Sequence, residues 1–223
     1  MLKPLINKLR AVKYSFRRMM FPGSAAYWEG RYGRQGNSGA GSYGRLAEFK
    51  AEVLNRFVQE KNIKTVIEFG CGDGNQLSLA RYPHYLGVDV SSTAVSLCRQ
   101  RFATAKELKF LTLSDYLDKG SGNGQTAELC MSLDVIYHLV EDSIFEKYMT
   151  TLFDASTRYV VIYSSNENQP YQKGSHVRHR KFQDWIDRNR SDWKLVLHIP
   201  NQYPFEEENP NHTSFADFFF YER

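Results

Sequence analysis

One stretch constrains this chain more than any other: Val66-Ile67-Glu68-Phe69-Gly70-Cys71-Gly72-Asp73-Gly74-Asn75. A short apolar run of strand length breaks into three alternating glycines, and a helical pattern opens at Asn75–Arg81. Glycine tolerates positive φ and lets a ligand approach the backbone closely. A strand that runs through such a turn into a helix places a ligand at the carboxyl edge of a parallel sheet. The spacing also discriminates between ligands. A dinucleotide fingerprint needs a glycine where Asn75 stands, and a phosphate loop needs a closing Gly-Lys-Ser/Thr that this turn lacks.

The flanking pattern alternates strand and helix. Strands are expected at 65–69, 85–90, 109–113, 129–133, 159–164, 194–199 and 214–221. Helices are expected at 24–32, 46–61, 92–105, 142–153 and 182–189, with Ser91 or Ser92 capping the third. Strands separated by helices imply right-handed crossovers and a parallel sheet covered on both faces. The last two strands break that rule, because residues 200–213 hold Pro200, Pro204 and Pro210 and no helical periodicity. The expected fold class is therefore α/β: a Rossmann-like, doubly wound, seven-stranded mixed sheet with an antiparallel last strand and an N-terminal helical extension. A chain of 223 residues suffices for one such domain, taken as residues 23–223.

The extension, residues 1–22, reads as a basic amphipathic helix. Leu2, Leu5, Ile6, Leu9, Val12, Phe16, Met19 and Met20 recur at helical spacing, and Lys3, Lys8, Arg10, Lys13, Arg17 and Arg18 stand among them with no acid. Such a helix can lie on an anionic membrane surface, dock on a partner protein or pack on its own domain. Without those six bases the chain's net charge of +4 becomes a slight acidic excess, so nucleic acid is not the expected partner. Cys71, Cys98 and Cys130 are too few and too scattered for a disulfide framework, which points to a reducing, cytoplasmic compartment. If the basic helix binds lipid, the domain sits at the inner face of the membrane. No uncharged apolar run approaches the roughly 18 residues a membrane span requires.

The E-x-G-x-G-x-G arrangement resembles motif I of class I S-adenosylmethionine-dependent methyltransferases, and the resemblance extends over about residues 43–165. It implies S-adenosyl-L-methionine as cofactor. Glu68 would face the ammonium of its methionine part, and Gly70, Cys71, Gly72 and Gly74 would surround that part. Asp89, ending the second strand, would accept hydrogen bonds from both ribose hydroxyls, with Val90 against the adenine. Asp115, after the third strand, would meet the exocyclic amine. Tyr43 and Arg45 are similar to the segment that precedes motif I, where an aromatic closes over the cofactor and an Arg lies near its carboxylate. No Asn/Asp-Pro-Pro-Tyr/Phe follows the fourth strand, which also argues against a nucleic-acid acceptor.

The acceptor is expected on the other side of the turn. The fourth strand and its turn, Cys130 to Asp142, resemble motif IV of the family. Asp134 would sit at the strand end facing the cleft and is grouped with the cofactor residues. His138, one helical turn later, is a base near neutral pH or a packing residue beneath the cofactor. The run His176-Val177-Arg178-His179-Arg180-Lys181 follows the fifth strand, where the family borders its acceptor site. His176 and His179 are further candidate bases. Arg178 and Arg180, with Tyr163, are candidate acceptor-binding residues suited to a phosphate or carboxylate. His176 and His179 lack a third ligand, so no metal is assigned. The expected chemistry is in-line methyl displacement to an oxygen, phosphate or carboxylate acceptor. A loose resemblance to methyltransferases found with bacterial surface-polysaccharide enzymes points to a saccharide or lipid-linked glycan. A cytosolic small-metabolite methyltransferase and a non-catalytic S-adenosylmethionine-binding partner subunit are the alternatives.

Overall fold

The computed structural model describes residues 21–119 and 125–223. The expected amphipathic helix therefore lies, but for its last two residues, outside the described residues. Seven strands form one sheet: β1 (Thr65–Phe69), β2 (His84–Asp89), β3 (Leu108–Thr112), β4 (Ala127–Leu133), β5 (Ser156–Ser164), β6 (Lys194–Ile199) and β7 (Asp217–Glu222). Their order is β3-β2-β1-β4-β5-β7-β6. Strands β1 to β5 pair in parallel, and β7 lies antiparallel between β5 and β6. The expected α/β mixed sheet with its antiparallel last strand is what the chain forms.

Alternation along each strand builds two cores. On β5, Tyr159, Val161 and Tyr163 face one side while Val160 and Ile162 face the other; β7 does the same with Phe218 and Phe220 against Phe219 and Tyr221. The first side is covered by α2 (Gly44–Glu60) through Phe49, Val53, Leu54 and Phe57, and by α3 (Ser92–Arg101) through Val95 and Cys98. The second is covered by α4 (Leu113–Lys119), α5 (Asp142–Asp154) and α6 (Gln183–Asn189), through Tyr116, Phe145, Met149, Leu152, Trp185 and Ile186. Helix α1 (Ser24–Gly33) lies outside both layers, above the carboxyl ends of the strands. It is clipped at two points. Ser24 N donates to Glu141 Oε1 (3.0 Å), and Ser91 Oγ and Thr93 Oγ1 each donate to Glu29 at 2.6 Å. Among the described residues no helix is long and apolar enough to cross a membrane.

Two local expectations fail. Residues 76–79 form only a 3₁₀ turn, not the helix the pattern predicts. The Asn55 side chain donates to Leu79 O (2.9 Å) and accepts from Arg81 N (2.8 Å), and Pro83 disfavours a helical Tyr82. After β3 the chain enters α4 directly, where a strand end was expected. Thr112 Oγ1 accepts from Asp115 N (3.1 Å) in the manner of a helix cap. That cap carries Asp115 into an exposed first turn.

Candidate functional site

The strand order reverses between β1 and β4, the switch point at which open α/β sheets bind ligands. The glycine turn stands there. Gly70 and Gly72 adopt φ of 91° and 57°. A Cβ on Gly70 would come 2.3 Å from Val135 Cγ2, and one on Gly72 would come 2.3 Å from Ser38 Oγ. Gly74, at φ 73°, instead makes room for Phe102 and Cys98 and does not line the cleft. Asp89, buried at the end of β2, locks the turn: its Oδ2 accepts from Gly72 N and its Oδ1 from Ser91 N, both at 2.9 Å. Burial raises its carboxyl, and these backbone hydrogen bonds oppose the rise.

The glycine-rich segment 33–44 folds over this turn and is anchored by Asp73. That carboxylate accepts from Ser38 N (2.9 Å), Tyr43 OH (2.9 Å) and Asn75 N (3.0 Å). Burial pushes its pKa up, but the hydrogen bonds outweigh burial and the net shift is down. Tyr43 therefore anchors the segment and does not line the cleft. Arg45 faces away altogether. Its Nε donates to His212 O (2.6 Å), and its guanidinium lies 4.2 Å from the Tyr203 ring centre, so the side chain is held away from the cavity.

Between the strand ends and α1 lies a cavity of about 410 Å³, within the range of small-molecule sites. One lobe, toward β2 and β3, is walled by Asp89, Val90, Leu113 and Leu117. A polar end toward α2 holds Ser42, Lys50, Glu68, Gln76 and Asp134. The third side, under α1, presents Pro22, Trp28, His138, Leu139 and Ile144. Of the expected residues, Glu68, Gly70, Cys71, Gly72, Asp89, Val90, Asp134 and His138 meet here. Asp115 does not.

Glu68 is buried, and Tyr85 OH donates to its Oε2 (2.7 Å). Burial pushes its carboxyl up to about 7, against the pull of the Tyr85 hydroxyl and the Lys50 charge. His138 Nδ1 lies 3.0 Å from the carbonyl oxygen of His176. A carbonyl can only accept, so Nδ1 carries the proton and Nε2 is bare. Burial pushes the imidazole down to about 4, so it is neutral at pH 7.

The cationic run after β5 is placed differently from expectation. Arg178 Nη1 donates to Val140 O (2.9 Å), Arg180 Nη2 donates to the same oxygen (2.8 Å), and both pair with Asp142. They brace the 139–142 loop from behind and do not line the cleft. His176 stacks between Tyr27 (4.6 Å) and His138 (5.2 Å). His179 Nδ1 sits 2.7 Å from Ser165 Oγ, outside the cleft. Tyr163 is buried, and its hydroxyl accepts from Asn201 Nδ2 (2.6 Å), so it too is off the cleft wall.

Sequence reading missed Lys50, Trp28, Tyr32, Gln76 and Tyr148 on the cavity wall. For Lys50 a signal existed: it stands on the apolar stripe of α2, between Leu46 and Val53, where a solvated lysine does not belong. Trp28 and Tyr32 reach the site only through the tertiary docking of α1, which leaves no local pattern.

No protein-family model matches the chain, and no curated protein matches it in sequence. Solved structures do. Magnesium protoporphyrin IX methyltransferase from Synechocystis PCC 6803, with bound SAH, superposes with a TM-score of 0.59 at 13% identity, over 80% of this chain and 84% of that one. The N-methyltransferase NodS from Bradyrhizobium japonicum WM9 gives 0.59 at 14% identity, over 80% and 97%. The methyltransferase domain of bacterial CtHen1-CN gives 0.59 at 16% identity, over 78% and 97%. The chain therefore has the fold of class I, S-adenosylmethionine-dependent methyltransferases.

Proposed function

We propose that this chain binds S-adenosylmethionine in the cavity and transfers its methyl group to an uncharged hydroxyl acceptor. The observation that carries the reading is the buried Asp89 carboxylate locked onto the Gly72 turn at the switch point of the sheet. The residues suit the cofactor: the cleft face of Gly70 and Gly72 has no room for side chains, and Asp89 keeps lone pairs for two ribose hydroxyls. Val90, Leu113 and Leu117 offer apolar walls for a purine. Bound there, the cofactor supplies a methyl group already activated by its sulfonium.

The chain's own work is alignment, exclusion of water and disposal of a proton. Alignment can contribute about 7 kcal/mol or more. Trp28, Pro22 and Leu139 give the acceptor side an apolar lining that disfavours water. With Arg178 and Arg180 held by carbonyls and Asp142, neither is left to recognise a phosphate or carboxylate there. His138 Nε2 takes the hydroxyl proton. A weakly basic imidazole suffices, because the acceptor oxygen becomes strongly acidic as its bond to the methyl carbon forms. A saccharide hydroxyl fits this description. The basic segment 1–20 would hold a cytoplasmic domain near an anionic membrane surface, where lipid-linked saccharides lie; vesicle flotation that is unchanged by its deletion, or insensitive to salt, removes that part of the reading.

Calorimetry with S-adenosylmethionine on wild type and Asp89→Ala tests the core claim. Loss of charged hydrogen bonds to the ribose weakens binding about 100-fold, or about 2.7 kcal/mol. Equal affinity in the two proteins overturns the assignment.

A further inference from the structure

The cationic run after β5 faces a second cavity. Arg178, His179, Arg180 and Lys181 line a space of about 370 Å³, together with Arg188 of α6. The two cavities use different faces of α5: Ile144, Lys147 and Thr151 line the first, and Asp142, Phe145 and Glu146 line the second. Bases outnumber acids in the second, with Arg178, Arg180, Lys181 and Arg188 against Asp142, Glu146 and Asp184. Each of these carboxylates is already engaged. Asp142 Oδ1 is shared by Arg178 Nη1 (3.1 Å) and Arg180 Nη2 (3.0 Å), Asp184 pairs with Lys181 Nζ (2.8 Å), and Glu146 accepts from Trp185 Nε1. The donors are not all engaged. Among the described residues Arg178 places only Nη1, on Val140 O and Asp142, and leaves Nε and Nη2 without a protein acceptor. Arg188 places only Nε, on Asp184 O (2.8 Å), and leaves both Nη atoms. Burial pulls the Arg180 guanidinium below its ordinary pKa, Asp142 opposes the fall, and the neighbouring Arg178 charge adds to it. One carboxylate thus answers two guanidiniums that repel each other.

We propose that this second cavity binds the phosphate monoester of a polar small molecule, with the phosphate seated on Arg178, Lys181 and Arg188. A dianion with three acceptor oxygens matches two guanidinium forks and an ammonium. Arg180 stays a brace, because its Nη atoms are spent on Leu139 O, Val140 O and Asp142. The cavity is larger than a bare phosphate and falls within the range of small-molecule sites. Asn168 and Gln169 on its wall suit the hydroxyls of the group that carries the ester. The site lies across α5 from the methyl-transfer cleft and does not depend on the cofactor reading, so either can fail without the other. Soluble esters and lipid head groups share the phosphate chemistry; the polar wall favours the soluble ester.

Calorimetry on the full chain with inorganic phosphate and glucose 6-phosphate, at ionic strength held constant with potassium chloride, tests the site. The variant is Lys181→Met/Arg188→Met, since both side chains are exposed and neither belongs to the brace. Loss of two charge-assisted contacts is expected to weaken both probes about 30-fold, while affinity for S-adenosylhomocysteine stays within about twofold. Arg188→Gln, which keeps the Lys181–Asp184 pair, is expected to lose about tenfold on the same scale. Phosphate uptake that the double variant leaves unchanged overturns the site, and so does chloride that displaces phosphate at equal concentration. Flotation with phosphatidic acid vesicles, against phosphatidylcholine as blank, is the second arm. Vesicle binding that the double variant loses, in a chain that takes up no glucose 6-phosphate, overturns the soluble ligand and places the phosphate on a lipid head group.

Discussion

The two walls of the cleft are built by opposite means. On the β1–β2 wall the backbone is the working surface. Gly70 and Gly72 bend at positive φ, and Asp89 holds the bend by two N–H groups close in sequence to the strands themselves. On the β4–β5 wall side chains from a distant loop hold the backbone. Arg178 and Arg180 grip Val140 O, His138 donates to His176 O, and Ser24 Oγ donates to His138 O (2.8 Å). The first wall is intolerant of added atoms, because contacts there are already at their limit. The second is intolerant of removed atoms, because each clamp answers a backbone carbonyl.

The largest effect expected from this contrast is at Gly70. Gly70→Val forces a side chain toward Val135 at a φ of 91° that β-branched residues avoid. Left-handed strain of about 1–2 kcal/mol and overpacking of about 1–3 kcal/mol add. Calorimetry should find S-adenosylmethionine binding weakened by more than about 100-fold. Gly33→Ala is the control, since a Cβ there meets nothing within 4 Å. Normal binding by Gly70→Val would break the comparison at its first wall.

The next effect is a pair of opposite pH dependences. Glu68 on the first wall is raised from 4.5 to about 7. Its contribution to stability is fully present below 4.5 and is lost as pH rises through about 7. His138 on the second wall is lowered from 6.5 to about 4. Its contribution is present above 6.5 and is lost as pH falls through about 4. Each shift corresponds to roughly 3 kcal/mol. The two slopes run against each other between pH 4.5 and 6.5, so wild-type stability should be nearly flat there with respect to these groups. Denaturant titrations across that window should find stability rising with pH in Glu68→Gln and falling with pH in His138→Gln. Parallel profiles in the two variants would contradict the assigned burial.

How much of this was legible in the sequence follows the same division. The strand and the glycine turn were readable because local sterics dictate them: at Gly70 and Gly72 a positive φ coincides with a neighbour too close for a Cβ. The five parallel strands and the antiparallel β7 were readable from spacing and from the prolines of 200–213. Arg45, Arg178, Arg180, His179 and Tyr163 were misplaced because a side chain's direction depends on partners far along the chain: His212 O, Val140 O, Asp142, Ser165 and Asn201. Asp115 was misplaced by a different cause, the Thr112 cap that starts α4 early. Lys50 shows that the second kind of information is not wholly hidden, since a charge on an apolar stripe demands a partner inside.

The smallest of the expected effects decides what the cationic loop is for. If Arg180 braces the loop, Arg180→Met removes a charged donor from the carbonyls of Leu139 and Val140 and from Asp142. Arg178 still serves Val140, which limits the loss to about 2 kcal/mol. For a domain of this size that lowers the melting temperature by about 4–8 °C. Affinity for S-adenosylhomocysteine, read by calorimetry on the same protein, should stay within about twofold, because Arg180 does not reach the cavity. If instead the loop were an anion site, the arginine would be replaceable without loss of stability, and methylation of the acceptor would fall. An Arg180→Met protein that melts like wild type yet cannot methylate would therefore return the loop to acceptor binding and bring back a phosphate or carboxylate as the group it recognises.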